Sequence, residues 1–255
     1  MSTEAPYFGI DFGTTNSSMA WCNPDTGRAE VISNEEGEDK TPSVVYFGED
    51  EIIVGQYAEE KLEEVENSTD PQEREEVSQR IVRSIKRNLL APPVIPIPGR
   101  EPVRPVEVVA HILGKLKHDA EQEHFYEEIE HVVVTCPATF DAQQKEVLLD
   151  GAAMAGFGRV ELLEEPTAAA LTVTKQGQRI GNGLVIYDLG AGTFDLSVVA
   201  RDSEDGRFYV IEEPQGDPQC GGDDLDLELY DYLELAPIGG QLFAHDNSQR
   251  DCTAF

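Results

Sequence analysis

Two short stretches carry residue types whose spacing could do chemistry together. In "FGIDFGTTNSSMAW", Phe8 to Trp21, an apolar run ends in Asp11, turns through Gly13, Thr14, Thr15 and Asn16, and resumes as a second apolar run. In "YDLGAGTFDLS", Tyr187 to Ser197, Asp188 precedes Gly190, Ala191, Gly192 and Thr193, and a strand-like run follows again. Each stretch gives an aspartate, an apolar residue, a glycine and then a threonine within one turn, and the aspartates stand 177 positions apart. Glycine lets a ligand approach the backbone, threonine offers a hydroxyl, and successive turn N–H groups make an anion-binding concavity. Two such tips facing each other could hold one anion between them. Carboxylates beside phosphate are repulsive alone, so a Mg²⁺ with its waters is implied. A single glycine turn is more often an ordinary hairpin; the matched pair favours a site.

Strands must carry these tips. Phe8–Phe12 and Ser17–Trp21 read as two strands around the first turn, and Gly183–Ala200 repeats strand, turn, strand. An echo at domain-scale spacing points to a duplicated fold, not a short-period solenoid. Two rival phosphate motifs fail. The pattern G-x-x-x-x-G-K-[ST] is absent, and G-x-G-x-x-G should open a helix, whereas these turns open strands.

Between the two stretches, "TPSVVYF" (Thr41 to Phe47) and "IIVG" (Ile52 to Gly55) read as short strands and Tyr57–Val65 as an acidic helix. Glu66–Glu76 is polar and contains Asp70-Pro71, which predicts a loop, and Val77–Leu90 resumes a helical pattern. Proline-rich Ala91–Pro105 excludes regular helix, and its apolar residues suggest a packed excursion. Val106–Glu123 is amphipathic, with Val109, Ile112, Leu113 and Leu116 at helical spacing. The apolar run in "IEHVVVTCPATF" predicts a strand buried on both faces. Asp141 is placed to cap the next helix with Gln144 as its capping-box partner, and Gly156 to end it. Pro166 sits in the first turn of a further helix.

Bulk properties narrow the function. The chain has 255 residues, with 50 acids against 19 bases and a net charge of −31. That balance argues against nucleic acid, which needs clustered Lys and Arg. Self-repulsion on this scale destabilises a compact state in dilute salt, so a salt-rich, halophile-type cytoplasm is expected. No apolar run is long enough to span a membrane, and the N-terminus lacks a signal-peptide pattern; cytoplasmic location is the expectation. Cys22, Cys136, Cys220 and Cys252 are scattered without CxxC spacing, so neither zinc nor a disulfide framework is supported.

Seven phrases, "GIDFGTTNSS", "TPSVVYF", "SIKRNLL", "VVVTCPATFDAQQ", "ELLEEPTAAAL", "YDLGAGTFDLSVV" and "CGGDDLDLEL", run in order from about Phe8 to Leu233. Together they resemble the ATPase domain of the seventy-kilodalton heat-shock (DnaK-type) chaperones, within the actin and sugar-kinase fold group. The resemblance implies an α/β, actin-like fold of two lobes with a duplicated ribonuclease-H-like core, the second lobe incomplete. Lobe I would cover residues 1–175, with an inserted subdomain at about 34–105, and 176–240 would be a partial lobe II followed by an atypical tail, 241–255.

The resemblance also implies roles. Gly13, Thr14, Thr15 and Asn16 would form the first phosphate turn, and Gly190, Ala191, Gly192 and Thr193 the second, with Gly221 and Gly222 in a later phosphate-side turn. Asp11, Asp188 and Glu165 would face Mg²⁺ through water. Thr193 and Asp195 would stand near the γ-phosphate, and Lys86 would orient the attacking water. Pro137 matches a proline that couples nucleotide state to the partner domain. ATP or ADP, Mg²⁺ and K⁺ are the implied cofactors, and a co-chaperone or exchange factor the implied partner, with no membrane and no peptide-binding domain in this chain.

Departures from the family pattern set further expectations. Ala191 replaces a glycine, and because its Cβ resists positive φ that turn is expected to close less well. Lys145 replaces an arginine in the coupling region, where a planar fork and an ammonium are not equivalent. The family's adenosine pocket and peptide-binding domain have no counterpart after about Leu235, so weak or absent turnover is expected. A catalytically inactive partner-binding module and an actin-like filament protein are the alternatives.

Overall fold

The computed structural model of the chain describes residues 7–66, 70–175, 181, 183–202, 206–217 and 220–235. The sequence's atypical tail at 241–255 lies outside the described residues.

The chain opens with β1 (Tyr7–Asp11), β2 (Asn16–Cys22) and β3 (Ala29–Ile32), an antiparallel meander, followed by β4 (Thr41–Pro42), β5 (Val44–Phe47) and β6 (Ile52–Val54). Next come α1 (Gln56–Glu66), α2 (Pro71–Ser78), β7 (Ile81–Arg83) and a 3₁₀ turn, Ile85–Asn88. After the proline-rich stretch, α3 (Pro105–Asp119) runs on into one π-helical turn, Ala120–Phe125, before β8 (His131–Cys136), α4 (Ala142–Met154), β9 (Arg159–Glu164) and α5 (Glu165–Lys175). The remainder is β10 (Gly183–Leu189), β11 (Phe194–Arg201), β12 (Phe208–Val210), β13 (Gln215–Asp217) and α6 (Gly222–Leu235).

Three sheets result. The first has the order β3-β2-β1-β8-β9, with β4 also on β2, and β8 joins β1 in parallel. The second has the order β10-β11-β12, with β13 also on β11, and β6-β5-β7 form the third. The duplication expected from sequence extends to register. Asp11 faces Ser18 across the β1–β2 hairpin, and Asp188 faces Asp195 across β10–β11. In both hairpins a short extra strand, β4 or β13, pairs with the second strand just past the turn.

The core lies between the first sheet and α3. Ile10, Phe12, Met19, Val132 and Val134 meet Val108, Val109, Ile112 and Leu113, and all are essentially inaccessible to solvent. These α3 positions form the single apolar stripe that the helical spacing implies. Burying side chains of this kind stabilises by roughly 1.5–3 kcal/mol each, before conformational entropy is charged against it. α4 is capped as the sequence indicates. Asp141 accepts the Gln144 N–H at 2.8 Å, Gln144 accepts the Asp141 N–H at 3.0 Å, and Gly156 leaves the helix at φ +92°. The proline-rich stretch is packed, with Ile97 and Val103 buried and Ile95 bridged to Val103.

Three expectations are corrected. The loop placed at 66–76 contains the start of α2, because Asp70 caps the Gln72 N–H and Pro71 takes the first helical position, where its missing N–H costs nothing. The helical pattern at 77–90 is instead the end of α2, a strand and a 3₁₀ turn. Val82 pairs with Val45, so the sheet edge of β5 overrides local propensity. β8 alternates instead of burying both faces: Val132, Val134 and Cys136 enter the core, while Thr135 on the other face stays partly open.

Candidate functional site

The two hairpin tips face one cleft of about 490 Å³. Asp11, Gly13, Thr14, Thr15 and Asn16 line one side, Asp188, Gly190, Ala191 and Thr193 the other, and Lys86 and Glu165 also line it. Each is delivered by a strand end or a strand-to-helix junction. Asp11 ends β1, Asp188 lies near the end of β10, and Glu165 is the residue at which β9 gives way to α5. Lys86 comes from the 3₁₀ turn after β7, entered through Ser84 in a left-handed conformation, φ +54°.

Four expected residues stand behind this lining. Asp195 accepts the Thr139 hydroxyl at 3.0 Å. Gly192 sits where the two tips touch: a Cβ there would come within 2.5 Å of Thr14 Cγ2. A Cβ on Gly221 would come 2.2 Å from the Ala191 carbonyl oxygen, so only glycine fits beneath the second turn. Gly222 donates its N–H to Gly190 O at 2.9 Å, and Asp223 donates to Ala191 O at 2.8 Å, which hangs the second turn from the first residues of α6. Ala191 does not have the positive φ that a glycine would be needed for, and the turn closes with Gly190 N–H on Thr193 O at 2.9 Å. The looser closure expected of Ala191 is therefore not seen.

Residues that the sequence did not single out complete the site. Thr135 donates to Asp11 at 2.9 Å and fixes that carboxylate at the tip. Ser43 donates to Gly13 O at 2.9 Å and lies 2.9 Å from Ser17 Oγ, which in turn accepts the Gly13 N–H at 3.2 Å. This contact is possible because the run 41–47 breaks at Ser43 into β4 and β5. The polar serine inside an apolar strand was the available signal. Ala168, Ala169 and Thr172 of α5 add a wall of small side chains.

The electrostatics suit a polyanion carried with a cation. Lys86 Nζ lies 2.7 Å from Glu165 Oε1. Burial pushes the Glu165 carboxyl up, Lys86 pulls it down, and Asp11 and Asp188 add to the rise. Burial likewise raises Asp188, against Lys86, with Asp195 and Asp11 reinforcing it. These carboxylates repel one another, a cost a divalent cation would relieve. Among the described residues no three acidic, His or Cys side chains converge closely enough to hold a metal directly. Thr15 Oγ1 is buried without a hydrogen-bond partner at the edge of the cleft, as a group kept for a ligand oxygen would be.

A family model described as Hsp70 protein matches residues 7–236, most of the chain. The chain belongs to the Hsp70 family. Its sequence is of the DnaK type and its fold is the actin-like fold of that family, as the motifs and the repeated hairpins indicate. It is 40% identical over 235 residues to the chaperone protein DnaK of Thermosipho melanesiensis, covering 91% of this chain and 36% of that protein. The corresponding protein of Thermotoga maritima is 39% identical over 228 residues, covering 88% of this chain and 35% of that one. This Hsp70 chain thus spans about a third of the length of the curated relatives it matches. Among its described residues no helix is long and apolar enough to cross a membrane.

Proposed function

We propose that this Hsp70 chain binds the phosphate end of ATP, with Mg²⁺, between its two hairpin tips and carries the residues for γ-phosphate hydrolysis in a chaperone cycle. The observation that carries the reading is the matched pair of turns, with the same aspartate register, opposed across one cleft that also receives Lys86 and Glu165. Asp11, Asp188 and Glu165 would hold the waters of Mg²⁺, which when bound neutralises phosphate charge. The Thr15 and Thr193 hydroxyls and the turn N–H groups would take phosphate oxygens. Lys86, oriented by Glu165, would place the water that attacks the γ-phosphorus as the bond to the β-phosphate oxygen breaks, and its ammonium would offset charge on the transferred group. Lobe I at 1–175 and a partial lobe II at 176–240 remain the domain reading, a cytoplasm the location, and a co-chaperone or exchange factor the partner class.

Titration calorimetry of the purified chain with MgATP and MgADP, followed by phosphate release in single turnover, tests the reading. Binding by the wild type, lost in Asp11→Asn with Asp188→Asn, supports it; wild-type phosphate release is expected to be weak at most, and Lys86→Ala should retain binding while losing whatever release the wild type shows. Absence of binding to the folded wild-type chain would overturn it.

A further inference from the structure

The residue after Lys86 makes a contact that the phosphate-site roles leave unassigned. Arg87 Nη2 donates to Asp224 Oδ2 at 2.6 Å, joining positions 137 apart in the chain. The same Oδ2 accepts the Gly221 N–H at 2.8 Å. Asp224 is the third residue of α6, so this is the reach-back half of a capping box and belongs to the helix start itself. The next two N–H groups, of Gly222 and Asp223, hold the Gly190 and Ala191 carbonyls. The stem of Arg87 also covers the second turn: a Cβ on Gly192 would lie 3.1 Å from Arg87 Cδ.

One carboxylate oxygen therefore ties three things together: the 3₁₀ turn that presents Lys86, the N-terminus of α6, and through α6 the second turn. Lys86 and Arg87 point to different partners, one to Glu165 beside the first sheet and the other to the element that supports the second. The pair is only partly withdrawn from water, with side chains 19% and 36% exposed, so it can break and re-form without a large desolvation cost.

We propose that Arg87 and Asp224 form an electrostatic latch across the cleft, a pair of positioning residues whose opening frees the second turn from the Lys86 turn and lets the bound ligand leave. That the ligand is a nucleotide rests on the function proposed above; the latch itself does not.

Two measurements separate these ideas. The first needs no ligand: amide hydrogen exchange of the Gly222 and Asp223 N–H groups in wild type, Arg87→Met and Asp224→Asn. Exchange about ten-fold faster in both variants is expected, with the Met19 amide of the β1–β2 hairpin unchanged as the check on folding. Unchanged exchange at Gly222 and Asp223 would overturn the latch. The second is stopped-flow release of a fluorescent ADP analogue. Release should be about three- to ten-fold faster in either variant, and the paired reversal Arg87→Glu with Asp224→Arg should recover part of the difference. Release in wild type should also quicken with KCl, and less so in Arg87→Met, a salt signature that a merely structural contact would not give. Failure of the wild type to bind the analogue would overturn the nucleotide reading and leave hydrogen exchange to decide the latch.

Discussion

Lys86 Nζ and Glu165 Oε1 lie 2.7 Å apart on the wall of the cleft, with their side chains 7% and 15% exposed. A pair so removed from water sets burial against Coulomb attraction, and for Glu165 burial wins: its carboxyl is held above the ordinary value. The folded state therefore binds that proton more tightly than the unfolded chain, where the value is about 4.3. The stability this group contributes is greatest below that pH and is lost as pH rises through the folded value.

Carbon-detected NMR of the Glu165 carboxyl should show the raised titration directly. Lys86→Met removes the opposing cation and should move it further up; Asp188→Asn removes a repelling charge and should move it down. A downward move in Lys86→Met would mean that Lys86 does not stabilise the ionised carboxylate as the 2.7 Å contact implies.

Gly192 and Gly190 lie two residues apart in the second turn but meet different surroundings. A Cβ on Gly192 would press on Thr14 at 2.5 Å, whereas one on Gly190 would meet only Thr193 O at 3.7 Å. Gly192→Ala should therefore destabilise by about 1–3 kcal/mol and spread the two tips, with Gly190→Ala costing less than about 1 kcal/mol. Urea unfolding of the two variants checks the order. Equal losses would show that the tips do not touch as described.

Cys136 ends β8 inside the core, and burial pushes its thiol up to about 11, with Glu165 and Glu164 adding to the rise and Lys145 opposing it. At pH 8 it should be almost entirely protonated, and it is closed to solvent. Iodoacetamide should label the partly exposed Cys22 in the folded protein and reach Cys136 only after unfolding. Mass spectrometry of tryptic peptides reads the outcome, and rapid native labelling of Cys136 would contradict the packing of β8.

A net charge of −31 on 255 residues predicts a fold whose stability depends on screening. The Debye length falls from about 10 Å at 0.1 M salt to about 3 Å at 1 M, which removes most repulsion between surface carboxylates. The melting temperature should rise between these KCl concentrations by at least about 2 °C, equivalent to roughly 1 kcal/mol for a chain of this size. A fall with added KCl would sink the halophile-type reading.

The sequence by itself determined whatever depends on neighbours a few positions away. The aspartate-glycine-threonine tips, the Asp141–Gln144 capping box, the Gly156 helix stop and the amphipathic stripe of α3 are all local patterns, because turn chemistry, caps and helical period act over a handful of residues. The repeat could be read for the same reason: two copies of one local pattern, compared with each other.

Tertiary structure alone decided what joins distant segments. Nothing near Ile81–Arg83 in the chain announces a strand; the free edge of β5 makes it one. Thr135 reaches Asp11 across 124 positions, Ser43 reaches Gly13 across 30, and Arg87 reaches Asp224 across 137. Each is an ordinary polar residue whose partner exists only after the sheets have assembled. A polar side chain near a closing cleft takes whichever partner the packed backbone brings within about 3 Å, since leaving it unpaired would cost about 1–3 kcal/mol. That choice is made by the packing of whole elements, and no short window of sequence contains it.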